Sequence, residues 1–438
     1  MVRGLGDIFK IQDLKKKILF TLGILAVLQL GNAIPVPGID IAALRAFFEA
    51  QEGTLFGFLD MFSGGALGRL SIFALGIMPY INASIIMSLV RKSIPYLEKL
   101  QKEGEAGRKK LNQITRYAAV VIALIQGLGL TFWMQTMEVG GVNVVVNPGM
   151  RFQLITVVTL LAGSIFVMWL GEQITENGIG NGISLIIFAN IVARMPAGIN
   201  NVIRLIRVEE MSILGALFLL AIVIAITAAV VYVEQGQRRI RVQYAKRVVG
   251  RKMYGGQGTH LPIKIDQSGV IAVILAMAVL LVPGQISMFL PDSRIWSTVG
   301  AYMTPGTMTH TIIYAALIIF FCYFYTAMTF NPNDIAENMK KWGGFIPGIR
   351  PGKPTADYIN KILTRTTLAG AIFVVIIAIM PTYFGELFNA PFYFGGTALL
   401  IVVGVAIDTM AQLESHLIMR QYEGFMQKGR LRGRSRRR

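Results

Sequence analysis

Residues 212–233 read SILGALFLLAIVIAITAAVVYV, 22 positions without a charge. A helix rises about 1.5 Å per residue, so a run of this length reaches across a hydrocarbon core of about 30 Å. Nine further apolar runs can be marked, at about 18–35, 70–90, 117–134, 154–171, 183–200, 269–290, 309–328, 362–381 and 396–418. Only helices and closed barrels cross a bilayer, because lipid offers backbone groups no hydrogen-bond partner. Barrel strands alternate in polarity, and these runs do not, so the barrel is excluded. The expected fold is an all-α membrane protein with ten transmembrane helices.

Composition agrees. Of the 438 residues, 54% are hydrophobic and only 15% charged, against about 25% charged in an ordinary soluble domain. The net charge is +18, and its distribution fixes an orientation. With the N-terminus inside, 33 of the 42 Lys and Arg residues fall in alternate, inner-side regions and 6 in outer-side regions. Positive loops stay cytoplasmic, so both termini are expected there. The inner 172–182 loop is an exception, with no positive charge. The first segment has a basic flank, Lys15-Lys16-Lys17, and Pro35, Pro37 and Gly38 follow in place of a cleavage site. It reads as a retained signal-anchor helix.

Ten spans divide into five and five, and five is odd. Two successive five-helix halves, 1–205 and 206–418, must then lie with opposite topology, and such inverted repeats place a pathway at their interface. A basic tail, 419–438, follows, and reads as a disordered arm near anionic lipid or RNA. The second segment carries Gly76, Pro79, Asn82, Ser84 and Ser88, a composition suited to lining a cavity or a helix contact rather than facing lipid. Residues 55–69 hold an apolar stretch too short to span, a candidate re-entrant segment.

Signals for enzyme chemistry are sparse. His260, His310 and His416 are scattered, and the single cysteine, Cys322, sits in an apolar run. No metal ligand set and no metal or cofactor is expected. Residues 348–354 (GIRPGKP) depart from a phosphate loop, with Pro354 where a magnesium-binding hydroxyl belongs. Residues 178–182 (GIGNG) read as a tight interhelical turn. Within the membrane, Glu172, Asp408 and Glu414 lie near segment ends, and Arg194 is expected to snorkel to an interface.

The inner loops 234–268 and 329–361 are the largest polar regions. Residues 235–247 (QGQRRIRVQYAKR) mix basic with apolar and aromatic positions, which points to a folded hairpin able to meet an acidic protein or RNA phosphates.

Long strings along the chain resemble the SecY family, the pore-forming subunits of bacterial protein-export channels. They are residues 61–87 (MFSGGALGRLSIFALGIMPYINASIIM), 169–184 (WLGEQITENGIGNGIS), 235–247 with 259–265 (THLPIKI), 330–352 (FNPNDIAENMKKWGGFIPGIRPG) and 391–403 (PFYFGGTALLIVV). Two positions depart from the family pattern: Ala272, where many relatives have proline, and Asn177, where a basic residue is common.

The resemblance implies a passive channel, not an enzyme, that translocates unfolded preproteins across the bacterial cytoplasmic (inner) membrane and inserts membrane proteins laterally. The halves would enclose a central pore, constricted by a ring of Ile77, Ile81, Ile183, Ile187, Ile274 and Ile401. The plug would be Phe58, Leu59, Asp60, Met61, Phe62, Ser63, Gly64, Gly65, Ala66 and Leu67. The lateral gate would lie between the second and seventh helices. Arg350, Arg251, Lys252, Arg238 and Arg239 would contact the SecA ATPase or the ribosome. Partner subunits SecE and SecG, signal sequences, nascent polypeptides and anionic lipids complete the implied set. The residues alone leave two other classes open, a small-solute transporter and an intramembrane enzyme. The first needs a midplane carboxylate or basic relay, the second a nucleophile and base or a metal pair at membrane depth.

Overall fold

The computed structural model describes residues 11–50, 55–91, 94–139, 142–244, 247–249, 252–254, 258–289, 298, 302, 307–388 and 396–434. Fourteen helices lie in the described residues: α1 (Gln12–Asn32), α2 (Ile41–Ala50), α3 (Leu55–Phe62), α4 (Met78–Arg91), α5 (Pro95–Lys102), α6 (Glu105–Gln135), α7 (Met150–Asn177), α8 (Gly182–Arg207), α9 (Ile213–Glu234), α10 (Gly269–Phe289), α11 (Met308–Thr329), α12 (Pro332–Lys341), α13 (Lys353–Phe388) and α14 (Gly396–Arg434). Short strands β1 (Glu138–Val139) and β2 (Val142–Asn143) pair between α6 and α7. Strands β3 (Gln237–Tyr244), β4 (Arg247–Val249), β5 (Lys252–Tyr254) and β6 (Thr259–Lys264) follow α9, and β7 (Gly344–Phe345) follows α12.

Each of the ten predicted segments coincides wholly or partly with one helix. Seven spans among the described residues are long and apolar enough to cross a membrane: those on α6, α7, α8, α9, α11, α13 and α14. Of the other three, α1 carries the Lys15–Lys17 cluster, α4 has 14 residues, and the apolar part of α10 that qualifies is Gly269–Leu280. Only 11% of the apolar window of α9 is buried within the protein. Leu214, Leu217 and Phe218 lie on its surface, a patch that only lipid or a partner would accommodate.

The chain forms two compact units. The described residues of Met1–Asn200, Gln285–Ser297 and Val405–Arg438 make one, and those of Asn201–Gly284 and Thr298–Gly404 the other.

In the first unit the predicted second span is helical over only part of its length. Residues 70–77 form turns, and α4 starts at Met78. Gly76 turns the chain at φ +53°, and Pro79, lacking an N–H, is tolerated in a first helical turn. The non-helical backbone is deeply packed. A Cβ on Gly163 of α7 would lie 1.8 Å from the Ile72 carbonyl oxygen, and one on Gly31 of α1 would lie 1.8 Å from the Phe73 ring. Its backbone groups also find partners: Ile72 N–H donates to Ile34 O at 3.0 Å, and Val36 N–H to Leu70 O at 2.9 Å. Leu70 itself is fully buried and sits at φ +37°, a strained conformation that persists where packing over-determines it. Leu67, Leu70 and Ala74 share a core with Val36, Leu44 and Val144.

In the second unit, the predicted hairpin is a sheet of order β6-β3-β7. Arg238 faces Ile263, Ile240 faces Leu261 and Arg241 faces His260 across the antiparallel β3–β6 ladder. Ile240, Val242 and Ile263 point into a core with Met339 of α12, Ile346, and Ile359 and Leu363 of α13. Side-chain caps start the helices that border it: Ser212 Oγ accepts from Gly215 N–H at 3.0 Å, and Asn331 Oδ1 from Asn333 N–H at 3.2 Å.

One expectation is corrected at the end of the chain. Residues 419–434 continue α14 as helix where a disordered arm was expected. No proline interrupts the stretch, and its Met, Gln, Lys, Leu and Arg residues favour helix. The last four positions, 435–438, lie outside the described residues.

The packing of Gly370 yields a test. A Cβ there would lie 2.6 Å from the Ile265 carbonyl oxygen, so Gly370→Val is expected to destabilise the second unit by about 1–3 kcal/mol through overpacking. Cys322 is buried and is the chain's single cysteine, so its alkylation on heating in detergent reports the loss. Gly23→Ala, into open space, should leave the alkylation midpoint unchanged.

Candidate functional site

Over residues 60–68 the predicted re-entrant stretch is a largely buried, hydrogen-bonded structure. Helix α3 ends at Phe62, and Gly64 and Gly65 turn the chain at φ +72° and +84°, values that glycine adopts without a Cβ penalty. Met61, Phe62, Ser63, Ala66 and Leu67 are buried, and Gly64 and Gly65 are partly so. Phe58 and Leu59 lie in α3, with side chains outside the described residues.

Asp60 is 3% exposed and organises this turn. Its Oδ1 accepts from Gly68 N–H at 2.7 Å. Its carbonyl accepts from Gly65 N–H at 2.9 Å and from Ser63 Oγ at 2.9 Å. Ser63 Oγ in turn accepts from Leu67 N–H at 3.0 Å. The other carboxylate oxygen, Oδ2, lies 2.7 Å from Arg194 Nη1 on α8. Arg194 therefore pairs with a buried acid rather than snorkelling to an interface. A charged partner was available inside the protein, and a buried charge is most stable when paired.

One turn earlier on α8, Asn190 is 1% exposed. Its Nδ2 donates to Phe62 O at 3.0 Å. Its Oδ1 accepts from Asn32 Nδ2 at 3.1 Å and Gln29 Nε2 at 3.4 Å, both from α1. Sequence reading missed this cluster. Asn190 and Arg194, at i and i+4 in an apolar run, were its available signal, since polar groups at membrane depth seldom lack a role.

Other candidate residues are placed as follows. Ile77 precedes α4, and its carbonyl accepts from Ile81 N–H at 3.1 Å, so the two stack as on a helix. Ile77, Ile81 and Ile187 are buried and Ile183 is half-buried, all in the first unit. Ile274 is half-buried and Ile401 fully buried, both in the second unit. Arg238, Arg239 and Arg350 are exposed. The loop carrying Arg350 is fixed: Thr355 Oγ1 donates to Arg350 O at 2.8 Å, and Gly348 and Gly352 turn at φ +83° and +106°. Arg251 lies outside the described residues, and Lys252 begins β5 with its side chain outside them.

The 178–182 turn is tightly held. Gly180 N–H donates to Gln412 Oε1 of α14 at 3.0 Å, and Ile179 N–H to Thr21 Oγ1 of α1 at 3.2 Å. A Cβ on Gly182 would lie 1.8 Å from the Gly171 carbonyl oxygen. Glu172 is ion-paired to Arg116. Ala272 is buried in the first turn of α10, and Asn177 Nδ2 donates to Gln173 Oε1 at 3.0 Å. Among the described residues, no group of three or more His, Cys, Asp and Glu could hold a metal.

Fold and site together define a multi-pass helical membrane protein with a short helix, α3, that ends in a buried turn, and a folded, basic inter-helix module. Its polar side chains hold segments in place. A family model described as SecY matches residues 71–410. The chain is 48% identical over 433 residues to the protein translocase subunit SecY of Escherichia coli K12, covering 98% of this chain and 96% of that one. The chain belongs to the SecY family. Two solved structures share the fold. One concerns the plug domain of the SecY protein, which stabilises the closed state of that translocation channel and maintains a membrane seal; it matches with a TM-score of 0.63 at 19% identity over 92% of both chains. The other is Sec61 in the canine ribosome-channel complex from the endoplasmic reticulum, with a TM-score of 0.59 at 18% identity over 92% of both chains.

Asp266, between β6 and α10, gives a pH-dependent test. Burial pushes its carboxyl above the usual range; opposing this, Gly269 N–H and Ser268 Oγ donate to it at 2.7 and 3.0 Å, and the Lys264 charge acts in the same lowering sense. The folded state thus binds this proton more tightly than the unfolded chain. Its stabilising effect is full below the ordinary carboxylate range and is lost as pH rises through the raised value. Asp266→Asn keeps an acceptor oxygen and removes the ionisation. The variant should unfold at a higher temperature than the parent at neutral pH, with the difference closing in acid. Parallel pH profiles would refute the assignment.

Proposed function

We propose that this chain is the central subunit of a protein-conducting channel in the bacterial inner membrane, a passive conduit for unfolded polypeptides. The observation that carries this reading is family membership over nearly the full length. Translocation is the activity named for the relative, and it requires no bond to be made or broken by the channel itself.

The path runs between the 1–205 and 206–418 halves, whose opposed topology favours a route at their interface. Its constriction is the ring of Ile77, Ile81, Ile183, Ile187, Ile274 and Ile401. Apolar side chains of this kind dewet readily, which resists ions. They offer a sliding polypeptide no fixed hydrogen-bond partner, so sequence matters little. Residues 58–67 plug the pore when it is idle, a reading supported by the burial of Asp60–Ser63, Ala66 and Leu67 and by the plug described for a structural relative. The lateral gate lies between α4 and α10. The turn-bearing, polar start of the second span suits a wall that meets both water and lipid.

Both termini and the β6-β3-β7 module face the cytoplasm, a reading supported by the 33-to-6 charge asymmetry. There Arg238, Arg239, Arg251, Lys252 and Arg350 form the docking surface for the SecA motor or for ribosomal RNA. SecE and SecG complete the complex, and anionic lipids meet the basic end of α14. A ribosome-bound structural relative supports the ribosome as a partner.

Two experiments test the scheme. A secretory polypeptide stalled in transit should crosslink to photoreactive residues placed at Ile81, Ile187 and Ile401. Crosslinks confined to other positions would move the path. Arg350→Glu should leave membrane insertion and thermal stability intact while reducing motor-driven export at least about tenfold, the scale of losing a desolvated charge pair. Export at the parental rate would remove Arg350 from the docking surface.

A further inference from the structure

We infer that Asp60, Arg194 and Asn190 form a polar latch that holds the 58–67 segment shut and sets the threshold for its release. The inference rests on reading that segment as the plug. It goes further in assigning the closed state to particular side chains on one face of α8.

The spacing places the latch on the same helix as the proposed constriction. Ile183, Ile187, Asn190 and Arg194 follow one another at intervals of four, three and four residues, so they share a helix face. Ile187 and Arg194 are about 10 Å apart along the axis at 1.5 Å per residue. The apolar half of this face belongs to the proposed ring, and the polar half grips the turn after α3. Two independent contacts make the grip. Arg194 Nη1 meets Asp60 Oδ2 at 2.7 Å, and Asn190 Nδ2 donates to Phe62 O at 3.0 Å. Gly64 permits the close approach, since a Cβ there would lie 2.8 Å from Asn190 Oδ1. From the far side, Gln29 and Asn32 of α1 orient the Asn190 amide, so its donor is aimed at the plug.

Apolar packing alone would hold the segment without registering its position, because it weakens gradually as surfaces slide. A buried ion pair behaves differently. It adds little net stability over an apolar contact, but losing one partner strands the other charge in a poor medium. The pair is also asymmetric: the Asp60 side chain is 4% exposed and the Arg194 side chain 28%. Arg194 can be hydrated where it stands, whereas Asp60 gains water only by leaving. Release is then coupled to wetting of the site, and a partial displacement is disfavoured. The latch makes opening close to all-or-none.

The test uses the complete channel complex in lipid vesicles, read by decay of an imposed membrane potential, with accumulation of each variant checked in the membrane. Arg194→Met should raise ion leak at least about tenfold by stranding the buried carboxylate. Asp60→Asn/Arg194→Met should leak less than Arg194→Met alone, because no unpaired charge remains. Arg194→Lys, which keeps the charge, should leak less than Arg194→Met and covers the case in which the methionine variant fails to accumulate. A preprotein with a defective signal sequence should be exported faster through Arg194→Met than through the parent. Removal of residues 58–67 is the reference. If that deletion leaks while Arg194→Met, Asp60→Asn and the double variant stay as tight as the parent, the latch is refuted and the plug stands. If the deletion itself does not leak, the plug reading fails and takes the latch with it. A double variant that leaks more than both singles would also overturn the pairing.

Discussion

The hydrocarbon core supplies no hydrogen bonds, and most of this architecture follows from that lack. Every span must satisfy its own backbone, so the chain crosses as helices. Wherever it departs from helix, protein must replace water. The turns at residues 70–77 show the rule at work. They sit against Gly31 and Gly163, side-chain-free positions that let neighbouring elements come within contact distance. Their N–H groups reach carbonyls of the 34–36 strand-like segment and of one another. The same constraint explains why α3 ends in a dense knot around Asp60. A short turn has many backbone groups to satisfy in a small space, and one carboxylate with one hydroxyl serves three of them, while the second carboxylate oxygen pairs with Arg194.

Away from the lipid, the protein obeys the rules of a soluble domain. The β6-β3-β7 sheet alternates buried and exposed positions, and its inner face packs on α12 and the start of α13. Because α13 continues from this core through the apolar stretch that follows, one unbroken helix joins module and span within the second unit.

The spans were legible because apolar run length is a local property of sequence. The hairpin was legible for the same kind of reason: isoleucine and valine alternate with arginine at 239–242, a period-two pattern. The shortened second helix was only half legible. Gly76 and Pro79 marked the irregularity, yet the run of apolar residues around them reads as one span. The Asp60–Arg194–Asn190 cluster was not legible. Phe62 and Asn190 are 128 residues apart, and nothing in either neighbourhood names the other. Arg194 in isolation is best satisfied by reaching for water, and only the fold brings an acid to it. The continuation of α14 past residue 418 was not legible, because a dense run of arginines argues for a solvated arm as strongly as its helix formers argue for helix.

The 178–182 turn carries a consequence in time. Its amide at Gly180 is completed by Gln412, 232 residues downstream. At a synthesis rate of about 5–20 residues per second, that partner emerges on the order of 10–50 s after the turn itself. The first unit must wait through this interval with one of its own hydrogen bonds unmade, although most of its helices have already been synthesised. Assembly of the amino-terminal unit is thus clocked by the last helix, and a pause in translation between the two prolongs the life of an unfinished intermediate.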